Sequence, residues 1–89
     1  MSQTFGIENI IHLDFAGDYS GIAYDAARAG FWIVSDQNET VYLWDKINGV
    51  REQYSLPITK PEGIFYLAET DLLYIVSDAE EKMYVMRIE

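Results

Sequence analysis

The tetrapeptide Ile33-Val34-Ser35-Asp36 returns as Ile75-Val76-Ser77-Asp78, 42 residues further on, each time behind an aromatic side chain, Trp32 or Tyr74. The same shift pairs Gly21-Ile22 with Gly63-Ile64, Tyr24 with Tyr66, Ala26 with Ala68, Glu39 with Glu81 and Tyr42 with Tyr84. Ten of the 27 positions in 21–47 are thus identical to their counterparts in 63–89. Chance would leave about two or three at ordinary residue frequencies. A unit of about 40 to 45 residues holding several short strands has the length of one β-propeller blade, whereas helical repeats of similar length need a 3.6-residue periodicity that this chain lacks.

Turn signals divide each unit into strands. In the first, Gly21–Tyr24, Phe31–Ser35 and Val41–Trp44 are nearly continuous apolar runs, expected for interior strands with both sheet faces covered. Asn48-Gly49 is a hairpin signal, because both residues tolerate positive φ, and behind it Arg51–Leu56 alternates polar and apolar residues as a half-exposed outer strand does. The second unit runs Gly63–Leu67, Leu72–Ser77 and Lys82–Ile88 and has no fourth strand after them. A matching alternation lies at the other end: Ile11, Leu13 and Phe15 alternate with His12 and Asp14, and a shift of 41 sets Leu13-Asp14-Phe15 on Tyr54-Ser55-Leu56. The expected organisation is a single two-blade unit over 1–89, with an outer strand at 8–16, a first blade at 20–57 and three strands of a second blade at 62–89.

Two blades cannot close a propeller, which takes roughly four to eight. They would leave two apolar sheet faces and an unpaired strand edge in water, which monomers seldom do. Closure is therefore expected from further copies, each donating its 8–16 strand to a neighbour's second blade, in a head-to-tail contact that forms a ring or a filament. Even blade numbers follow: four, six or eight.

With 89 residues the chain is small for burying a core of its own, which fits the need for partners. Fifteen acidic against six basic residues give a net charge of −9, which repels phosphate backbones and anionic lipid, so neither nucleic acid nor membrane is an expected partner. There is no cysteine, hence neither disulfide nor thiol chemistry. Residues 1–9 carry no basic stretch with an apolar one behind it, and no apolar run reaches about 18 residues. A cytoplasmic location is expected.

The pattern Ser20-Gly21-Ile22-Ala23-Tyr24-Asp25 with Phe31-Trp32-Ile33-Val34-Ser35-Asp36, and Pro61-Glu62-Gly63-Ile64 with Tyr74-Ile75-Val76-Ser77-Asp78, resembles blades of the SdiA-regulated, phytase-like six-bladed propellers. It is more loosely similar to NHL-repeat and gluconolactonase/regucalcin-type propellers. The resemblance covers about residues 20–89, although members of these families normally carry all their blades in one polypeptide. It implies an all-β propeller with a blade number near six; with two four-stranded blades per chain, the expected six-bladed ring is completed by a homotrimer with strand exchange, and a homotetramer of eight blades is the second choice.

In that fold the loops 18–20, 36–39, 60–62 and 78–81 gather on one acidic rim around the channel mouth, and Tyr19, Ser20, Lys60 and Glu62 are the expected ligand-binding residues. In gluconolactonase/regucalcin-type propellers a Glu before a Gly at the start of an inner strand helps hold a divalent cation, and Glu62-Gly63 resembles it; Ser20, at the matching place in the first blade, supplies no second carboxylate. Three Glu62 carboxylates around a threefold axis would suit Ca²⁺ with water completing its shell. The plainer reading is a solvated loop charge or a partner for Lys60.

Asp36 and Asp78 could serve as acid and base, but an Asp at a strand end more often accepts turn N–H groups, so turn capping is the expected role. Trp32, Trp44, Tyr24, Tyr42, Tyr66 and Tyr74 read first as packing between blades. His12 has no nucleophile or metal-ligand partner at useful spacing, and no role is assigned to the Asn38-Glu39-Thr40 glycosylation pattern. No catalytic residue is expected. Two functions remain: a non-enzymatic propeller binding a small molecule, a cation or a protein segment at its acidic face, or a metal-dependent hydrolase, lactonase-like or phytase-like, active only in the assembled ring.

Overall fold

In the computed structural model, which describes residue 4 and residues 6–88, seven strands follow one another through tight turns: β1 Gly21–Asp25, β2 Gly30–Ser35, β3 Thr40–Asp45, β4 Gly49–Ser55, β5 Pro61–Leu67, β6 Leu72–Ser77 and β7 Lys82–Arg87. They form two antiparallel meanders, a four-stranded sheet β1-β2-β3-β4 and a three-stranded sheet β5-β6-β7. Among the described residues there is no helix, and so none long and apolar enough to cross a membrane.

The repeat extends to backbone conformation. The hairpins after β1 and β5 close on Ala29 (φ 52°) and Asp71 (φ 58°), those after β2 and β6 on Glu39 (φ 47°) and Glu81 (φ 53°). Each pair is separated by the same 42 residues. A left-handed residue at the end of a short loop gives the strands their matching twist, at a steric cost that glycine alone escapes.

Strict alternation along the strands decides which faces meet. In the first sheet Ala23, Trp32 and Leu43 stand opposite one another, with Val34 and Val41 on the same face. In the second, Ile64, Ile75 and Tyr84 share a face with Tyr66, Leu73 and Met86. These two faces pack together, and Trp32, Val34, Leu43, Leu73 and Ile75 are all buried between them, joined by Leu56 and Ile58 from the β4–β5 connection. The innermost strands β1 and β5 lie side by side: a Cβ at Gly21 would stand 3.2 Å from the Ile64 backbone nitrogen and 3.3 Å from the Gly63 Cα. Glycine at 21 is what permits that approach.

The single chain leaves two features without cover or pairing. β1 and β5 are not covered on both faces: Ile22, Tyr24 and Phe65 are 60%, 57% and 58% exposed, and Met83 and Val85 on β7 are open as well. Nor is there a strand over 8–16. Residues 6–14 have no sheet partner, while residues 15–20 lie against the open face of the first sheet, where Phe15 packs edge-on to Tyr42 at 4.8 Å. A strand needs an edge with free N–H and C=O groups, and the free edge of β7 belongs to the sheet on the other side of the molecule.

Leu43 is buried from every side, so Leu43→Ala should destabilise the chain by about 2–5 kcal/mol. Ala29→Gly relieves a left-handed residue on an exposed turn and should instead stabilise by about 0.5–1 kcal/mol. Denaturant midpoints measured at constant slope check both signs.

Candidate functional site

The pairing Gly21–Val34–Val41–Tyr54 puts the start of β1, the end of β2, the start of β3 and the end of β4 at one end of the first sheet; Pro61, Ser77 and Lys82 do the same in the second. Because Gly21 abuts Gly63, the two ends coincide. Loops 17–20, 36–39, 59–62 and 78–81 therefore share one end of the molecule and bring together seven carboxylates and one lysine.

The repeated serines organise this end. Ser35 is fully buried; its Oγ donates to Asp18 Oδ1 (2.7 Å) and accepts from the Asn38 backbone N–H (3.1 Å). Ser77, equally buried, donates to the Thr59 carbonyl and accepts from the Glu80 N–H. The turn caps are thus Ser35 and Ser77, one residue before the expected Asp36 and Asp78. At the last residue of a strand the serine is buried beneath the segment that leads into the inner strand, whereas the aspartate after it already lies in the turn and offers its carbonyl to Glu39 or Glu81. Asp18 also accepts from the Gln37 N–H (2.9 Å) and from Ser20 Oγ (3.0 Å). The Ser35 and Gln37 hydrogen bonds hold its carboxyl below the ordinary aspartate range. The Glu80 carboxyl is lowered in the same way, first by the Tyr84 hydroxyl and then by the Thr59 N–H.

Of the expected ligand-binding residues, Tyr19 and Ser20 are occupied locally. Tyr19 OH accepts from the N–H groups of Phe15 (3.0 Å) and Ala16 (3.3 Å), and Ser20 Oγ accepts from the Asp36 N–H (2.9 Å). Lys60 and Glu62 are exposed and form no ion pair with each other. Glu62 falls at a register shift between Pro61 and Gly63, which leaves it without a cross-strand partner on the rim. Among the described residues no three metal-binding side chains converge.

The opposite end holds a cluster that sequence reasoning missed. Asp25, fully buried, accepts from Trp32 Nε1 (2.9 Å), the Arg28 N–H (3.0 Å) and Arg28 Nη1 (2.7 Å). Arg28 also forks onto Asp71 (2.7 and 3.0 Å) and reaches Tyr66 OH, which donates to Asp71 at 2.6 Å. Burial pushes the Asp25 carboxyl up, but the Trp32 and Arg28 hydrogen bonds outweigh it and the net shift is downward. No buried side-chain nitrogen or oxygen among the described residues lacks a hydrogen-bond partner, and the arrangement ties the first sheet to the second. One signal could have found it: positions 25, 28 and 71 break the repeat, standing opposite Leu67, Thr70 and Ala29.

Comparison with known protein families, with curated proteins and with solved structures returns no match to this chain.

The bidentate Arg28 contact, helped by Tyr66, holds the Asp71 carboxyl at about 2, below its ordinary 3.8. A folded-state value below the unfolded one contributes stability that is complete above 3.8 and lost as the pH falls toward 2. Asp71→Asn should therefore be less stable than the parent at neutral pH, with the difference shrinking through that window and vanishing near pH 2. Melting temperatures of both proteins across the pH range measure it.

Proposed function

We propose that the chain is a subunit of a closed six-bladed propeller, a homotrimer, whose acidic end forms a binding face for a cation or a small ligand around the channel mouth. The observation that carries this reading is the correspondence of faces under the repeat. The open face of the second sheet, with Phe65, Tyr74, Val76, Met83 and Val85, consists of the counterparts of Ala23, Trp32, Val34, Val41 and Leu43, the buried face of the first. The open face of the first sheet, with Ile22, Phe31 and Trp44, consists of the counterparts of Ile64, Leu73 and Met86. One chain laid head-to-tail on the next repeats the packing already present inside the chain, and exposed apolar surface of this extent is typical of an interface. Six blades rather than eight rest on the resemblance to six-bladed propellers.

In such a ring each copy brings seven rim carboxylates to one mouth, and three Glu62 side chains face a common axis. Calcium, a hard cation that accepts carboxylate and water oxygens at flexible coordination numbers, suits that array.

Light scattering or native mass spectrometry should give about 31 kDa, three times the 10.3 kDa chain. A stable monomer would remove the reading. Glu62→Gln should leave that mass unchanged and weaken calcium binding in a titration; an unaltered isotherm would move the site away from the axis.

A further inference from the structure

The connection from β4 to β5 shows how this fold links one sheet to the next. Leu56 enters the core, and the Thr59 carbonyl accepts from Ser77 as the chain turns into β5. Residues 15–20 are docked on the first sheet in the same manner: Phe15 lies against Tyr42, and Asp18 accepts from Ser35 as the chain turns into β1. Ser35 and Tyr42 are the repeat counterparts of Ser77 and Tyr84. Residues 15–20 thus occupy the place of an inter-sheet connection on the face turned away from the chain's own second sheet. What precedes such a connection is the fourth strand of a sheet packed against that face.

We propose that residues 10–14 of one copy form this strand along the free outer edge of β7 in a neighbouring copy, so that the ring read above is held together by strand exchange. The proposal rests on that ring and specifies how it closes. The register follows from β3 and β4, where Thr40, Val41, Tyr42 and Leu43 face Ser55, Tyr54, Gln53 and Glu52. Transferred through the repeat, it sets Asp14 opposite Lys82, Leu13 opposite Met83, His12 opposite Tyr84 and Ile11 opposite Val85.

Three features agree with that register. Asp14 and Lys82 are of opposite charge, a favourable cross-strand pair. Leu13 and Ile11 extend the apolar face already made by Met83 and Val85, and that face packs on the first sheet of the donor. Past Ile11 the β3–β4 register shifts, so that Trp44 faces Val50; transferred, Asn9 stands opposite Met86 and Ile10 takes the place of Arg51 at the irregularity. Ile11, 48% exposed in the single chain, gains cover, and β7 loses a bare edge.

The chain has no cysteine, so a double variant Leu13→Cys/Met83→Cys reports the pairing directly. On mild oxidation it should run without reductant as covalent dimers and trimers that collapse to the single chain on reduction. A disulfide confined to one chain would overturn the proposal. So would the absence of any disulfide while the unsubstituted protein weighs about 31 kDa, a result that leaves the ring standing and removes only the exchange. If the unsubstituted protein is a monomer and no link forms between chains, both fall. Ile11→Asp provides a second check, because the side chain is exposed in the single chain and its replacement leaves the core intact. That variant should keep its β-sheet circular dichroism and lose the ring; an undiminished ring mass would contradict the exchange.

Discussion

The close contact between β1 and β5 sets what the rest of the chain can do. With Gly21 against Gly63 and the Ile64 backbone, the two sheets stand face to face with their inner strands adjacent, and Trp32, Leu43, Leu73 and Ile75 fill the space between them. A side chain at 21 would wedge the inner edges apart and open that core. Because a strand shows alternate residues to opposite faces, using one face of each sheet in this contact leaves the other face of each uncovered. In an ordinary meander that second face would be polar. Here the repeat makes it apolar, since each copy of the unit carries the residues for both sides of the contact, and a unit of two copies uses only one set of each.

Polar chemistry separates the two ends of the molecule. At the acidic end it is repeated: Ser35 and Ser77 are both fully buried, both cap the following turn, and both fasten the segment that leads into the inner strand. At the other end it is not. Asp25 and Arg28 come from the first sheet and its turn, Tyr66 and Asp71 from the second, and no counterpart of the cluster exists on the open face of the second sheet, where Leu67 and Thr70 stand. A buried carboxylate is tolerable only when its hydrogen bonds are complete, and the three donors to Asp25 meet that condition. The network thus marks the contact within the chain as distinct from any contact of the same design between chains.

Much of the fold was legible. The 42-residue repeat, the strand limits within a residue or two, the Asn48-Gly49 hairpin and the common end of the four acidic loops all follow from period, alternation and turn chemistry, which are local properties of the chain. The same locality sets the limits of the reading. A run such as Gly21–Tyr24 shows that both faces are apolar, but not which of them has a neighbour. Val-Ser-Asp shows a strand end, yet whether serine or aspartate caps the turn depends on which side chain is buried beneath the segment that leads into the inner strand. Nothing in the order of residues brings Arg28 to Asp71, 43 positions away, since that contact exists only once the sheets have packed.

The sequence by itself determined the unit: strands, turns, their repetition and the sign of the charge at the rim, because each depends on residues within one hairpin of one another. Only the tertiary structure decided which apolar faces were used and which were left open, where the buried Asp25 finds its partners, and on which side of the first sheet residues 15–20 are docked. Those outcomes depend on contacts between segments far apart along the chain, and there the deciding quantity is the geometry of close packing, which residue patterns along one strand do not encode.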